Sequence, residues 1–161
     1  MKTFREFGAF GALIDEYEKS IIELQEVIKN ISSEELTTIV DTETKDPDCR
    51  SIQTILTHVV RASYGYVVII RKSIGEEVEY KDGILLQSSI AYQQALNEML
   101  QYNIQLLEDH PNLQLEAFDY DKKFKVRWGQ LYDVEQLLEH AIVHILRHRR
   151  QIEKFLIQLR K

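Results

Sequence analysis

Four stretches of this chain place apolar side chains at alternating steps of four and three residues, the rhythm that lays one continuous stripe along an α-helix. In the first, Phe10, Ile14, Tyr17, Ile21, Leu24, Ile28 and Ile31 keep it without a break. The second runs from Ser51 to Ser73 on Ile52, Leu56, Val59, Ser63, Tyr66 and Ile70. Ser51 stands where an N-cap belongs, and Gly75 follows the basic pair Arg71 and Lys72 as a helix stop should. The third, Ser88 to Asp109, uses Tyr92, Leu96, Met99, Leu100, Asn103 and Leu107, and breaks before Pro111. The fourth, Asp133 to Leu159, carries Val134, Leu138, Ala141, Ile145, His148, Ile152, Phe155 and Leu159.

Four amphipathic helices of this length, with no strand-rich region, predict an all-α four-helix bundle built from a single domain over residues 1–161. About 20 residues join the first two helices and about 23 the last two, long enough for crossovers between distant ends of a bundle. The last connection alternates Phe118, Tyr120, Phe124, Val126 and Trp128 with polar residues, so it predicts an extended or hairpin segment lying on the bundle.

Composition narrows the function classes. Two prolines and six glycines favour long uninterrupted helices over a turn-rich β fold. The single cysteine, Cys49, excludes an internal disulfide and any multi-cysteine metal cluster. The longest apolar run, Val67 to Ile70, is far short of the roughly 20 residues a membrane span needs. Lys2 and Arg5 ahead of the apolar stretch Phe7–Ile14 mimic an export signal, but the stretch continues at helical spacing into Asp15 and Glu16, so we read a helix start and a cytoplasmic protein. With 26 acidic against 20 basic residues, a net charge of −6 and no basic block, nucleic acid is not the expected partner.

The informative anomaly is a row of histidines on the fourth helix: His140, His144 and His148, one turn apart. Four residues advance a helix by about 400°, or about 40° net, so the three lie on nearly one face. At about 100° per residue, His148 falls inside the apolar stripe, His144 about 70° from its centre and His140 about 110° from it. His144 and His148 therefore point into the bundle and His140 sits at the rim, while Arg147, Arg149 and Arg150 lie outside the stripe. Two imidazoles facing a bundle interior need polar partners, and a shared metal ion satisfies both.

Two ligands do not complete a site. His58 lies about 120° from the centre of the second helix's stripe, beside Ala62, Gly65 and Ile69, whose small side chains leave room for a ligand. The helical pattern by itself does not select it. His110, next to Pro111, reads as a loop residue. Other metal and nucleophile patterns fail: there is no His-Glu-x-x-His, no Glu-x-x-His, no Walker loop and no Gly-x-Ser-x-Gly. Cys49 stands just ahead of a helix N-terminus, which can activate a thiol, but it is a lone cysteine with no partner motif.

On the residues Leu56-Thr57-His58-Val59 and His144-Ile-Leu-Arg-His148-Arg149-Arg150-Gln151, together with Trp128-Gly129, the chain resembles the DinB-like/YfiT-like metalloenzyme superfamily. That family's usual ending is His-x-x-x-His-Arg-Gly-Gln. The resemblance implies an up-down-down-up bundle, a homodimer, and one divalent metal ion held by His58, His144 and His148, with His140 a neighbour. Arg150 departs from the family glycine and points outward on the wheel. Tyr64 and Tyr66 stand where a tryptophan is familiar, which leaves the pocket lining and the substrate open.

Three neutral imidazoles accept Zn, Ni, Fe or Mn and leave positions for a substrate atom. Members resembling this chain act on low-molecular-weight thiols, so the resemblance implies a metal-dependent thiol S-transferase acting on a small-molecule substrate, with Gln151, Arg147 and Tyr64 as lining candidates. A hydrolase using metal-bound hydroxide is one alternative, and a non-catalytic metal-binding or stress-related bundle another. No carboxylate that would orient a ligand imidazole is identifiable in the sequence: Asp133 lies on the right line of the fourth helix but about 22 Å along its axis.

Overall fold

The computed structural model describes residues 4–161; Lys2 lies outside them. Four long helices carry the chain: α1 (Gly8–Ile28), α3 (Ile52–Ser73), α4 (Ser89–Asp109) and α5 (Val134–Leu159), with a one-turn helix α2 (Ser33–Thr37) after the first. Their starts are set by short polar side chains. Ser51 and Asp133 each accept from the backbone amide three residues on and receive a reciprocal side-chain bond at their own amide, and Ser88 caps α4. Those are the starts the pattern predicts. The first helix stops sooner than its stripe suggests: the chain turns after Ile28, and Ile31 stays buried from the link that leads to α2.

The order of the helices around the bundle follows from which side chains meet. α1 packs on α4 and α5, and α3 packs on the same two helices. Along the α1–α4 seam Ser89 Oγ donates to the Ile28 carbonyl, Gln25 to that of Gln93, and the Tyr17 hydroxyl to Met99 Sδ, so the two helices run antiparallel. Tyr92 donates to the Gln53 carbonyl, Tyr64 packs on Tyr102 and Arg71 pairs with Asp109, so α3 and α4 run parallel. His58 meets His144 and Tyr66 meets His140, so α3 and α5 are antiparallel. The topology is up-down-down-up. The core is a single apolar cluster in which Ile14, Ile21, Leu24, Ile55, Leu56, Leu96 and Ile145 are completely buried.

This topology has a consequence for the links. A parallel neighbour forces the chain between α3 and α4 to return along the bundle, which for a helix of 22 residues is about 33 Å. Residues 74–88 make that return, within the roughly 50 Å an extended segment of that length can reach. Gly75, at φ +91, opens it in a conformation that side chains other than glycine rarely adopt. The link before α5 forms a short antiparallel hairpin, β1 (Phe124–Lys125) against β2 (Leu131–Tyr132), as the alternation predicts. Its turn depends on Gly129 at φ +94, whose amide donates to the Val126 carbonyl. Val126 is buried beneath it and Trp128 is half-exposed above. No helix among the described residues is long and apolar enough to cross a membrane.

Candidate metal centre

On α5, His144 and His148 occupy successive turns and are 5 % and 2 % exposed. Both face α3, where His58 stands opposite them, half-buried. The ring centroids of His58 lie 4.9 Å from His144 and 5.0 Å from His148, and those of the α5 pair are 4.4 Å apart. One nitrogen from each of the three rings falls within 4.8 Å of the others. The structure therefore gathers the three histidines that the resemblance implies, including the one the helical wheel leaves unselected. His58 reaches the pair from the flank of its helix because α3 and α5 cross antiparallel at that level.

Hydrogen bonds orient two of the rings. His58 Nδ1 donates to Asp48 Oδ2 at 3.0 Å, and the same oxygen accepts from Arg61 Nη2 at 2.6 Å. His148 Nδ1 donates to Gln151 Oε1 at 3.2 Å. Each bond puts the ring proton on Nδ1 and leaves the Nε2 lone pair toward the cluster, the arrangement a metal-ligating imidazole needs. His58 Nε2 and His144 Nε2 face one another at 2.9 Å. Two lone pairs at that distance repel unless a proton or a cation lies between them.

Burial depresses the basicity of the pair on α5. It holds His144 far below the ordinary imidazole value and brings His148 down to about 4, with the neighbouring histidines and Arg147 adding to the effect. Both are neutral at pH 7 and carry free lone pairs. Among the described residues, His148 Nε2 and His144 Nδ1 are buried with no hydrogen-bond partner. An unpaired buried nitrogen costs about 1–3 kcal/mol, and a divalent ion at the cluster is the partner that His148 Nε2 lacks, though it leaves His144 Nδ1 unpaired. The residues fit such an ion.

The cluster opens on a cleft of about 730 Å³ bounded by His58, His144, His140, Tyr66, Trp128 and Arg147. His140 stacks on Trp128, centroids 4.7 Å apart and planes within 19°, and is outside the ligand set, as the wheel places it. Burial raises the Tyr66 phenol well above its usual value, so it stays protonated. Ala62, Gly65 and Ile69 line the same cleft. A methyl group at Gly65 would meet nothing within 4 Å, so the space beside His58 is open.

One expectation needs correction and one gap is filled. Tyr64 does not line this site; it faces an adjacent cleft under Lys81, whose ammonium sits 3.8 Å from the ring centre, and Tyr66 takes the position beside His144. Two residues along a helix turn a side chain through about 200°, so only one of the two tyrosines can face α5. Cys49 is not activated by the helix start behind it: burial pushes its thiol up, and Asp46 stands 3.5 Å away. Asp48 is the orienting carboxylate missing from the sequence reading. It comes from a 3₁₀ turn, Pro47–Cys49, folded back along the first turns of α3, and its one sequence signal is an acid just ahead of a capped helix that carries a histidine two turns in. His110 ends α4 and bonds to Glu76, remote from the cluster.

A comparison with curated proteins gives no significant match. The profile of the DinB family matches residues 11–159. That span takes in α3, α4, α5 and all but the first three residues of α1, both links that wall the cleft and the three converging histidines, and by it the chain belongs to the DinB family.

Proposed function

We propose that this chain is a metal-dependent thiol S-transferase in which His58, His144 and His148 hold one divalent ion. The observation that supports the reading is the convergence of three imidazoles, two of them oriented from behind, at the floor of an open cleft. A divalent ion held by neutral ligands keeps its full charge and so presents a thiol as thiolate at neutral pH. Asp48 and Gln151 keep the ligand rings in one tautomer and one orientation, which limits the rearrangement needed on binding. Tyr66, Trp128 and His140 offer a flat, partly apolar wall to the electrophile. In the reaction the thiol loses its proton to solvent, sulfur forms the new bond to carbon, and the leaving group departs with the electron pair of the bond that breaks. The same reading keeps a homodimer and a cytoplasmic setting as parts of the proposal.

Metal-hydroxide hydrolysis is less well supported. It needs a general base beside the reacting atoms, and Asp48, the carboxylate bonded to the cluster, is already engaged by His58 and Arg61. The test is elemental analysis of wild type beside His144→Ala and His58→Ala, with conjugation of a low-molecular-weight thiol followed with and without metal. We expect one ion per chain in wild type, little in either variant, and conjugation only in the loaded protein. Wild type that takes up no stoichiometric metal after reconstitution overturns the reading. Metal uptake without conjugation leaves the non-catalytic bundle.

A further inference from the structure

The chain as a whole is acidic, with 26 Asp and Glu against 20 Lys and Arg, yet the cleft over the histidines has the opposite sign. Arg61, Lys81, Arg127 and Arg147 line it, against one carboxylate, Asp82. These cations arrive from four separate places: α3, the returning link, the hairpin turn and α5. Three of them have local contacts. Arg61 binds the Asp48 carboxylate that orients His58, and Lys81 covers the Tyr64 ring. Arg127 lies over the Tyr80 ring, 3.8 Å from its centre. Among the described residues, neither Arg127 nor Arg147 forms an ion pair.

Arg147 precedes His148 on α5 and is exposed. Its side chain lines the cleft together with His58, His140 and His144, so its guanidinium stands on the histidine side of the helix. Like charges gathered in one cleft repel, and their field is focused by the low-dielectric walls. Their mutual repulsion opposes folding, and the same field favours an anion. A guanidinium presents a planar fork that matches a carboxylate or a phosphate with two parallel bonds.

We propose that Arg127 and Arg147 are an anion clamp, and that the substrate is a small organic acid or phosphate ester held by its charged group, with its body against Tyr66 and Trp128 and its reacting end toward the histidines. The last clause rests on the reading of the histidine cluster given above; the clamp does not. Arg61, tied to Asp48, and Lys81, whose ammonium lacks a planar fork, set the sign of the cleft and are not part of the clamp.

Trp128 is the chain's one tryptophan and lines the same cleft, so its fluorescence reports on occupancy. Succinate, inorganic phosphate and neutral succinamide are titrated into metal-free and zinc-loaded protein, as wild type, Arg127→Gln, Arg147→Gln, the double variant and Arg147→Lys. We expect a saturable response to succinate or phosphate and none to succinamide. The double variant should bind the anion at least about tenfold more weakly, and the lysine variant should recover part of the loss. Succinate ahead of phosphate identifies a carboxylate substrate, and the reverse order a phosphate ester. Equal responses to succinate and succinamide, unchanged anion binding in the double variant, or no anion response in wild type in either metal state would overturn the clamp. Zinc uptake is measured on the same samples. Wild type that binds no zinc sinks the metal reading, while the titrations of the metal-free protein still decide the clamp.

Discussion

Replacing Asp48 by asparagine separates the metal site from the fold. Its carboxylate accepts from His58 Nδ1 at 3.0 Å and from Arg61 at 2.6 Å. Asparagine keeps the shape, removes the charge, and can turn an amide N–H toward Nδ1, which favours the tautomer that protonates Nε2 and blocks the ligand atom. Loss of such an orienting partner weakens metal binding by about 10–100-fold, or about 1.4–2.7 kcal/mol. The cost to folding should be small. The Asp48 and Arg61 side chains are 33 % and 44 % exposed, and exposed ion pairs contribute only about 0–1 kcal/mol. Zinc affinity is measured by competition with a chromophoric chelator, and stability by urea unfolding of the metal-free protein. Asp41→Asn is the control, since Asp41 lies in the same link but caps only the backbone amides of Glu43 and Thr44. We expect affinity to fall in Asp48→Asn alone, with the unfolding midpoint nearly unchanged. Wild-type affinity in that variant, or a loss of stability as large as the loss of binding, refutes the orienting role.

Three further outcomes follow from the same geometry. Gln151→Leu removes a neutral acceptor from His148 Nδ1 and should weaken zinc binding by roughly 1 kcal/mol, about fivefold and less than Asp48→Asn; calorimetric titration of the two variants checks the order. Metal-free protein should lose stability as pH falls below about 6.5, because unfolded histidines take up protons there. Buried His148 resists protonation down to about 4, and His144 still further. The unfolded state then binds more protons, so stability rises with pH across this window, by up to about 1.4 kcal/mol per pH unit for each histidine. His148→Leu should flatten the pH dependence of the urea midpoint, and a curve parallel to wild type would count against it. Leu24→Ala empties a completely buried site on α1 and should cost about 2–5 kcal/mol; zinc affinity measured at low temperature should stay at the wild-type value, since α1 supplies no ligand.

What was legible in the sequence is what local geometry controls. The repeat of a helix is set by its own hydrogen bonds, so a stripe of Ile14, Tyr17, Ile21 and Leu24 announces both a helix and its buried face. The caps at Ser51, Ser88 and Asp133 are equally local. The same arithmetic placed His144 and His148 inward and His140 at the rim, because all three lie on one rigid helix.

The remainder depends on how the helices are ordered in space. His58 sits off its stripe, and it becomes a partner of His144 and His148 because α3 crosses α5 antiparallel at that level. Tyr64 is the lining candidate in sequence, yet the packing of α3 between α4 and α5 turns it toward α4 and Tyr66 toward α5. Asp48 and Lys81 lie in links with no periodicity to read, and the alternation that puts Arg127 and Trp128 in a hairpin does not say which helices that hairpin covers. Their places follow from the up-down-down-up order, which sends the α3–α4 link back along the bundle and the other two across its ends, and brings residues of all three to the histidines. The sequence by itself determined four helices and an inward pair of imidazoles; the tertiary structure decided the third imidazole, the carboxylate behind it and the walls of the cleft. The physical reason is that a helix face is specified over a few residues, whereas the meeting of distant segments is specified by the packing of the whole bundle.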